Sequence, residues 1–412
     1  MGDNANRRTV VIGGGAAGLM AAGRLAERGV NVTLAEKNPM FGKKLRITGK
    51  GRCNVTNACD VEEMLENVTT NKSFLYSAFY TFTNDDLIAL LKKNGLETKV
   101  ERGMRVFPVS DNARDVVEAL KRYALKSNVR TVKKEVSSLI ADGKKVCGVI
   151  YKDGTRCMCD SVIVATGGVS YPLTGSTGDG YKFAKEAGHT IITPKPSLVP
   201  VETQERCVRD MMGLALKNVR LSVENSKGRT VCEDFGEMLF THFGVSGPMV
   251  LSASSHMRNI EKEKYILHID LKPALDEKQL DRRILRDFEQ NSNKHIINAL
   301  DALLPKAVIP EVIRRSGIEM HKAVNAVTKQ ERMSLVSAVK DFKLTAVRFR
   351  PIEEAIVTSG GVDVKQINPS TMESKLLCGL YFAGEVIDVD AYTGGFNLQI
   401  AFSTGYLAGD NA

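Results

Sequence analysis

Residues 9–36 carry the clearest alternation of apolar and polar segments in the chain. A β-branched run at residues 9–12 precedes several glycines, and a segment rich in Ala, Leu and Met then continues to Glu27. A second apolar run follows Gly29 and ends at Glu36. Because β-branched runs favour strands and the middle segment suits a helix, the pattern predicts a βαβ unit.

Residues 129–165 follow a different pattern of short β-rich runs. Asp142-Gly143 and Asp153-Gly154 separate these runs, and such dipeptides suit the positive φ angles of tight hairpin turns. The pattern predicts three antiparallel strands, followed by a buried strand at residues 162–165.

The pattern changes again after the prolines at 194, 196 and 200. Residues 219–231 predict a hairpin with Ser226-Lys227-Gly228 at its turn, and residues 276–346 are charge-rich with apolar positions at helical spacing. Residues 380–383 then predict a strand, and residues 396–408 predict a helix behind Gly394-Gly395. We therefore expect a second domain with a helical insert to begin near residue 200.

Composition narrows the class of protein. The chain has 412 residues, of which 43% are hydrophobic and 25% charged. These values are close to the globular averages of roughly 45–50% and about 25%, so wholesale disorder and fibrous architectures are excluded. The net charge of +9 suits an anionic ligand or a nucleic-acid surface.

Cysteine usage and hydropathy bear on location. Eight cysteines in a long chain without a signal peptide predict reduced thiols, and hence a cytoplasmic protein. The apolar run at residues 10–23 contains several glycines and is shorter than the ~18 residues that a spanning helix needs. We expect no association with a membrane.

A dinucleotide-binding pattern lies inside the predicted βαβ unit. Gly13, Gly15 and Gly18 satisfy G-x-G-x-x-G between the strand and the helix, and Glu36 ends the next strand. Gly13 permits a tight turn, Gly15 lets the backbone approach a pyrophosphate, and Gly18 allows close packing of the helix on the strand. Glu36 is placed to accept hydrogen bonds from ribose hydroxyls. A glycine turn that binds nothing would leave Glu36 unexplained.

The glycine motif alone leaves NAD(P) and FAD open as ligands. The predicted meander and residues 162–168 resemble the way in which FAD domains of the glutathione-reductase type are completed. Residues 381–385 resemble the strand-and-glycine element on the ribityl-phosphate side, although Asp is common at the position of Glu385. There is no second G-x-G-x-x-G unit for a nicotinamide domain. These features favour FAD, with NADH or NADPH as a transient donor.

A basic stretch follows the dinucleotide motif. Residues 37–52 contain six Lys and Arg residues and no acid. A solvated loop, a nucleic-acid surface and a loop wrapped around a ligand are the alternatives. Glycines at 42, 49 and 51 favour the wrapped loop. Phe41 is the only aromatic residue among these charges and the chain has no Trp, so a base-stacking surface is poorly supported. We expect no nucleic-acid partner.

Residues 48–57 read Thr-Gly-Lys-Gly-Arg-Cys-Asn-Val-Thr-Asn. This segment resembles the T/S-G-x-G-R-C-N-x-T-N signature of the BaiN-like flavoproteins, also called YhiN-like or the aminoacetone oxidase family. Residues 165–168, 196–200, 240–248, 358–362 and 384–388 resemble other segments of the same family. The resemblance covers nearly the whole chain in order.

The resemblance implies an α/β fold with a discontinuous Rossmann FAD domain of the glutathione-reductase type. That domain would comprise residues 1–195 and 347–412. Residues 196–346 would form an inserted β-rich substrate or cap domain with a helical segment at about 276–346. The implied cofactor contacts are Gly13, Gly15, Ala17, Gly18, Glu36, Lys37, Lys44, Gly51, Arg52, Asn54, Asn57, Val136, Thr166, Gly167, Gly384, Glu385, Gly395, Phe396, Asn397, Leu398 and Gln399.

Few residues are candidates for proton chemistry. The sequence has no G-x-S-x-G, H-E-x-x-H or P-loop motif, and its histidines lack metal-ligand spacing, so we expect neither a hydrolase nor a metal site. Cys53 and Cys59 lack the spacing of a redox pair, which favours a packing or flavin-edge role for Cys53. His242 and Tyr392 are the candidate catalytic residues, against a structural role for each.

The resemblance implies two reactions on a small-molecule substrate. One is NAD(P)H-driven reduction of a C=C bond conjugated to a carbonyl, as in steroid or bile-acid-like enones. The other is oxidation of a small amine or amino-ketone by O₂. We favour the reductase. A non-catalytic FAD-binding or redox-sensing protein is a further alternative.

Overall fold

The structure is a computed structural model that describes residues 7–257 and 259–412. Its strands are β1 (Arg8–Ile12), β2 (Asn31–Ala35), β3 (Thr56–Asn57), β4 (Val68–Thr70), β5 (Thr98–Glu101), β6 (Arg105–Pro108), β7 (Val129–Val132), β8 (Val136–Asp142), β9 (Lys145–Tyr151), β10 (Arg156–Met158), β11 (Ser161–Val164), β12 (Ile191–Ser197), β13 (Val201–Thr203), β14 (Ala215–Asn225), β15 (Thr230–Phe240), β16 (Gly244–Ser246), β17 (Tyr265–Asp270), β18 (Phe342–Phe349), β19 (Val357–Val362), β20 (Leu380–Phe382) and β21 (Asp390–Ala391). Its α-helices are α1 (Ala16–Glu27), α2 (Val61–Glu66), α3 (Tyr76–Thr81), α4 (Asn84–Lys93), α5 (Ala113–Ala124), α6 (Asp179–Glu186), α7 (Pro248–Ser254), α8 (Glu277–Gln290), α9 (Ile296–Ala299), α10 (Ile309–Ser316), α11 (Lys329–Lys340) and α12 (Phe396–Asn411).

The centre of the first unit is a five-stranded parallel sheet in the order β20-β11-β1-β2-β7. The predicted βαβ unit is confirmed as β1, α1 and β2, with Arg8 opposite Asn31 and Ile12 opposite Ala35. Helix α12 packs closely on α1, because Gly405 lies against the Ala17 backbone. The inner strand β11 is buried along its whole length, whereas the edge strand β7 exposes two of its four residues.

The meander predicted in residues 129–165 is a three-stranded antiparallel sheet in the order β10-β9-β8. The prediction treated the first β-rich run as one strand, and this is corrected. Strand β7 pairs in parallel with β2, whereas β8 begins the meander at Val136. The polar residues 133–135 separate the two strands. The buried strand that was predicted next is β11.

The second unit contains a closed barrel in the order β13-β16-β15-β14-β17-β18. The predicted hairpin at residues 219–231 is confirmed as β14 and β15, which extend further in both directions. Helices α8 to α11 form the helical insert, but the helical segment ends earlier than expected. Phe342, Leu344 and Ala346 are buried at every second position, so this part of the chain is strand β18.

The chain divides into two compact units, residues 1–197 with 352–412 and residues 198–351. Each has its own core of buried aliphatic and aromatic side chains. Among the described helices, none is long and apolar enough to cross a membrane.

Candidate functional site

The glycine loop between β1 and α1 leaves a space beside a helix N-terminus. Gly13 has a φ of +102°, and a Cβ there would lie 2.5 Å from the carbonyl oxygen of Ala165. A Cβ on Gly18 would collide with the Gly13 carbonyl, so the helix can approach only because Gly18 lacks one. At Gly15, by contrast, no atom lies within 4 Å of the Cβ position. Since α1 has no capping side chain and no acid in its first turn, its free N–H groups suit an anion.

Glu36 is held beside this loop. One carboxylate oxygen accepts a hydrogen bond of 2.7 Å from the Gly14 N–H. The other accepts hydrogen bonds from the backbone N–H and the side-chain amide of Asn38, at 2.7 and 2.8 Å. The carboxylate is therefore fixed at the end of β2, the position from which a dinucleotide fold contacts ribose hydroxyls.

Lys44 and Glu385 form an ion pair in the same unit. The Lys44 ammonium lies 2.7 Å from one Glu385 oxygen and 2.6 Å from the Ser170 hydroxyl. The other Glu385 oxygen accepts hydrogen bonds from the Thr358 N–H and the Ser170 hydroxyl, at 2.8 and 3.0 Å. Burial opposes ionisation of Glu385, but Lys44 and these donors keep its pKa below the ordinary value. The cluster therefore holds an ionised carboxylate directly after Gly384.

The signature segment at residues 48–57 packs against the start of α12. A Cβ on Gly395 would overlap the backbone of Thr56, so the two segments touch through bare backbone. The Asn57 amide donates to the carbonyls of Gly103 and Gly394, at 3.0 and 3.1 Å. The Thr56 hydroxyl donates to the Gln399 side chain at 2.7 Å. Strand β3 is thereby fixed to the first turn of α12.

The N-terminus of α12 is a second candidate anion site. Gly395 precedes the helix with a φ of +102°, and the first turn contains neither a capping side chain nor an acid. A helix of 16 residues presents partial positive charge at such an end. Phe396, Asn397 and Leu398 occupy this turn. The Asn397 side chain folds back onto the backbone of Ala391, so the turn offers backbone N–H groups to a ligand.

Five buried side-chain polar atoms in the described part of this unit lack hydrogen-bond partners, and two of them belong to expected cofactor contacts. Asn54 Oδ1 and Thr166 Oγ1 are both buried and form no hydrogen bond among the described residues. Most buried polar groups are hydrogen-bonded, so such atoms indicate a missing ligand or solvent. Both residues are among the expected cofactor contacts. The orphaned atoms, the space at Gly15 and the two helix N-termini fit a bound dinucleotide.

Other expected cofactor residues have protein partners. Lys37 donates to Asp179 and Thr177, each at 2.6 Å. Arg52 pairs with Glu101 and Asp111 and lies over the Phe107 ring at 4.2 Å. The Asn57 and Gln399 side chains are occupied by the contacts described above. Cofactor contacts at these four positions remain predictions.

The remaining expected residues lie on backbone turns or at strand ends. Val136 is buried at the start of β8. Gly51, Gly167 and Gly384 all have positive φ angles of +74° to +88°, and a Cβ on Gly384 would lie 3.0 Å from that of Ala17. Gly384 therefore lies beside the first turn of α1.

The cysteines of the signature segment are buried thiols. Burial raises the pKa of Cys53 to about 12, against a hydrogen bond with Thr48 that lowers it. Burial also raises the pKa of Cys59 to about 11. Since the thiolate is the reactive form, neither cysteine is suited to thiol–disulfide exchange at neutral pH.

The two candidate catalytic residues lie in different units. His242 is exposed in the second unit, with its ring edge-on to Phe243 at 5.0 Å. Tyr392 is half-buried in the first unit, and its backbone N–H donates to the Asn67 carbonyl at 3.0 Å. Within residues 7–257 and 259–412, no group of three or more His, Cys, Asp or Glu residues could hold a metal ion.

Comparison with protein families places these features in context. The family model described as the HI0933-like protein Rossmann domain matches residues 7–411, almost the whole chain. The chain belongs to the HI0933-like family. The resemblance seen in the signature segments is confirmed, and the protein is an FAD-dependent oxidoreductase with a Rossmann FAD domain.

Two relatives of the HI0933-like chain match it along nearly their whole length. It is 34% identical over 404 residues to the ribosomal RNA dihydrouridine synthase of Haemophilus influenzae, with 96% of each chain covered. It is 31% identical over 410 residues to the 3-dehydro-bile acid Δ(4,6)-reductase of Clostridium scindens, with 98% of each covered. A solved 3-ketosteroid Δ1-dehydrogenase from Sterolibacterium denitrificans has the same fold, with a TM-score of 0.53 at 13% identity, covering 97% of this chain and 98% of the other.

Two residues of this HI0933-like site were not predicted from the sequence. The Ser170 hydroxyl and the Thr358 backbone N–H both donate to Glu385, and the Thr358 hydroxyl accepts hydrogen bonds from the N–H groups of Val169 and Ser170. Thr358 stands in one of the family-like segments, which was the available signal. Nothing in the sequence near Ser170 indicated a carboxylate 215 positions away.

Proposed function

We propose that the protein uses NAD(P)H to reduce a C=C bond conjugated to a carbonyl. The observation that carries the proposal is the uncapped N-terminus of α12, fixed to the signature segment through Gly395 and Asn57. Negative charge accumulates on the N1–C2=O2 edge of a reduced flavin, and a helix N-terminus stabilises charge of that sign.

The names of the two relatives support the same reaction class. A bile-acid Δ(4,6)-reductase saturates a C=C bond conjugated to a ketone. A dihydrouridine synthase saturates the C5=C6 bond of uracil, which is conjugated to the C4 carbonyl. The shared chemistry is addition of hydride to the β-carbon and of a proton to the α-carbon.

The residues of this chain bind the cofactor and manage the proton. The N–H groups at the start of α1 suit the pyrophosphate, and Asn54 and Thr166 offer unpaired polar atoms. FAD, when bound and reduced, would supply the hydride. Tyr392 comes just before Gly394-Gly395, so its phenol is the candidate in this unit for protonating the α-carbon. His242 is the other candidate that the sequence offers for this proton transfer.

The first test is the absorbance spectrum of the purified protein, followed without oxygen while NADH and then NADPH are added. We expect a flavin spectrum that bleaches with one nucleotide and recovers when a conjugated alkene is added. A flavin that stays oxidised with both nucleotides but is bleached by small amines would overturn the proposal in favour of an oxidase.

Two substrates distinguish the classes named by the relatives. One is a 3-keto-4,6-diene steroid, whose loss of absorbance reports saturation of the ring. The other is a ribosomal RNA transcript, in which nucleoside analysis reports dihydrouridine. Turnover of either supports the reaction class, and the RNA outcome would correct the expectation of no nucleic-acid partner.

A further inference from the structure

The basic stretch at residues 37–52 is mostly neutralised inside the first unit. Lys37 pairs with an aspartate, Lys44 and Arg52 with glutamates, and Arg46 lies 3.6 Å from Glu118. Lys43 donates to the backbone carbonyl of Leu173. Lys50 differs from these five residues because its side chain has neither an acid nor a carbonyl partner among the described residues. It is exposed at a φ of +57°, and no described acid lies within ion-pair distance of it.

A second set of unpaired cations lies on the turn between β5 and β6. Arg102 and Arg105 are both exposed, and neither forms an ion pair with a described residue. Arg105 donates one N–H to the Arg102 carbonyl at 2.9 Å, which leaves the rest of its guanidinium available. Met104, between them, is 47% exposed at a φ of +56°. The turn thus presents two charges and one apolar side chain to solvent.

The acids near this turn are already paired with other bases. Glu101 and Asp111 both accept hydrogen bonds from Arg52, and Lys99 lies 2.7 Å from Asp111. The charges of these two acids and of the two bases, Arg52 and Lys99, therefore cancel. Lys50, Arg102 and Arg105 therefore add three uncompensated positive charges, and we call these three residues the basic rim.

The two segments that carry the basic rim lie beside one ring, that of Phe107. The guanidinium groups of Arg52 and Arg105 lie 4.2 and 5.9 Å from the centre of Phe107. A Cβ on Gly49, next to Lys50, would lie 3.6 Å from the same ring. The loop that holds Lys50 and the turn that holds the arginines are therefore adjacent.

The basic rim lies close to the N-terminus of α12. Arg105 on β6 pairs directly with Asn57 on β3. The Asn57 amide bonds both the Gly103 carbonyl in the turn and the Gly394 carbonyl before α12. Since paired strands are about 4.8 Å apart, the turn is one strand removed from the strand that touches α12.

We propose that the basic rim binds the backbone phosphates of an RNA substrate whose uridine is reduced at the flavin. Three separate exposed cations match a chain of phosphates, whereas a steroid with one carboxylate would occupy only one of them. Met104 adds an apolar contact for a sugar or base. The inference rests on the proposed function and names its substrate class.

The test measures binding rather than turnover. We would titrate the FAD-loaded protein into a fluorescein-labelled transcript of a uridine-bearing ribosomal RNA hairpin, at several salt concentrations. Arg102→Gln with Arg105→Gln removes two charges while keeping much of each stem. We expect weaker binding and a slope of log affinity against log salt that is smaller by about 2, or about 1 for each phosphate that is no longer neutralised.

Two variants separate phosphate binding from other effects. Lys144→Gln with Lys145→Gln removes two exposed charges from the β8–β9 turn of the same unit, and should leave the slope unchanged. Arg102→Lys with Arg105→Lys should restore it. Flavin reduction by NAD(P)H should be equal in all variants, which shows that each is folded and loaded.

The outcomes also separate the rim from the reaction. If the slope of log affinity against log salt were unchanged in the Arg102→Gln and Arg105→Gln variant, the proposal that the basic rim binds RNA would be wrong. The reductase proposal would be unaffected. The same holds if the wild type reduces a steroid dienone but does not bind the transcript. Absence of turnover with every conjugated alkene, despite rim-dependent RNA binding, would overturn the reaction instead.

Discussion

Replacing Gly15 with valine separates cofactor binding from folding. Gly15 has φ and ψ of −84° and −162°, a region open to any residue, and no atom lies within 4 Å of its Cβ position. The apoprotein therefore has room for the side chain. Valine is a poorer N-cap than glycine, which costs about 1 kcal/mol, or about 2–4 °C in Tm. The same side chain would occupy the space assigned to the pyrophosphate.

The assay compares flavin content and FAD-dependent Tm in the two proteins. Free FAD at 100 times its Kd stabilises the wild type by about 2.7 kcal/mol, which corresponds to roughly 5–10 °C. We expect the Gly15→Val protein to purify without flavin and to show no such rise. Gly18→Ala is the contrasting control, because its Cβ collides with the Gly13 carbonyl and should destabilise the apoprotein itself. A Gly15→Val protein with full flavin would refute the placement of the pyrophosphate.

Individual side chains of the first unit give three further predictions. Lys44→Met should cost about 2 kcal/mol in urea unfolding at pH 7, because it leaves the largely buried Glu385 carboxylate unpaired. Since the pKa of Glu385 lies below its ordinary value, the pair stabilises the fold above about pH 4, and the difference between the proteins should shrink as the pH falls below that. Iodoacetamide should modify exposed Cys378 in the native protein but not buried Cys53, as measured by mass spectrometry of the peptides. Modification of Cys53 in the native protein would show that it is a reactive thiol. Asn54→Ala removes an unpaired buried acceptor, so it should weaken FAD binding without lowering the Tm of the apoprotein; a loss of apoprotein stability would give Asn54 a structural role instead.

Local chemistry explains which elements could be predicted from the sequence. The βαβ unit, the hairpin around Gly228 and the helix behind Gly395 each depend on spacing and turn residues within about 30 positions. The order of the strands in the sheet does not depend on such local signals, since β11 pairs with β1 about 150 positions earlier and with β20 about 220 positions later. Periodicity identifies a strand but carries no information about its distant neighbours. The closed barrel of the second unit was missed for the same reason.

The partners of the charged side chains in the basic stretch at residues 37–52 also could not be predicted from the sequence. From the sequence, six cations without an acid between residues 37 and 52 are equivalent, and all could contact a ligand. In the fold, acids 49 to 341 positions away pair with four of them, and three of these four, Lys37, Lys44 and Arg52, had been expected to contact the cofactor. Within the stretch, Lys43 and Lys50 have no acid partner among the described residues, and Lys43 is held by a backbone carbonyl. Lys50 lies near Arg102 and Arg105, which the sequence had not associated with that loop. The ion pairs of the folded protein therefore determine which cations remain free to bind a polyanion. The net charge of +9 alone could not locate these cations.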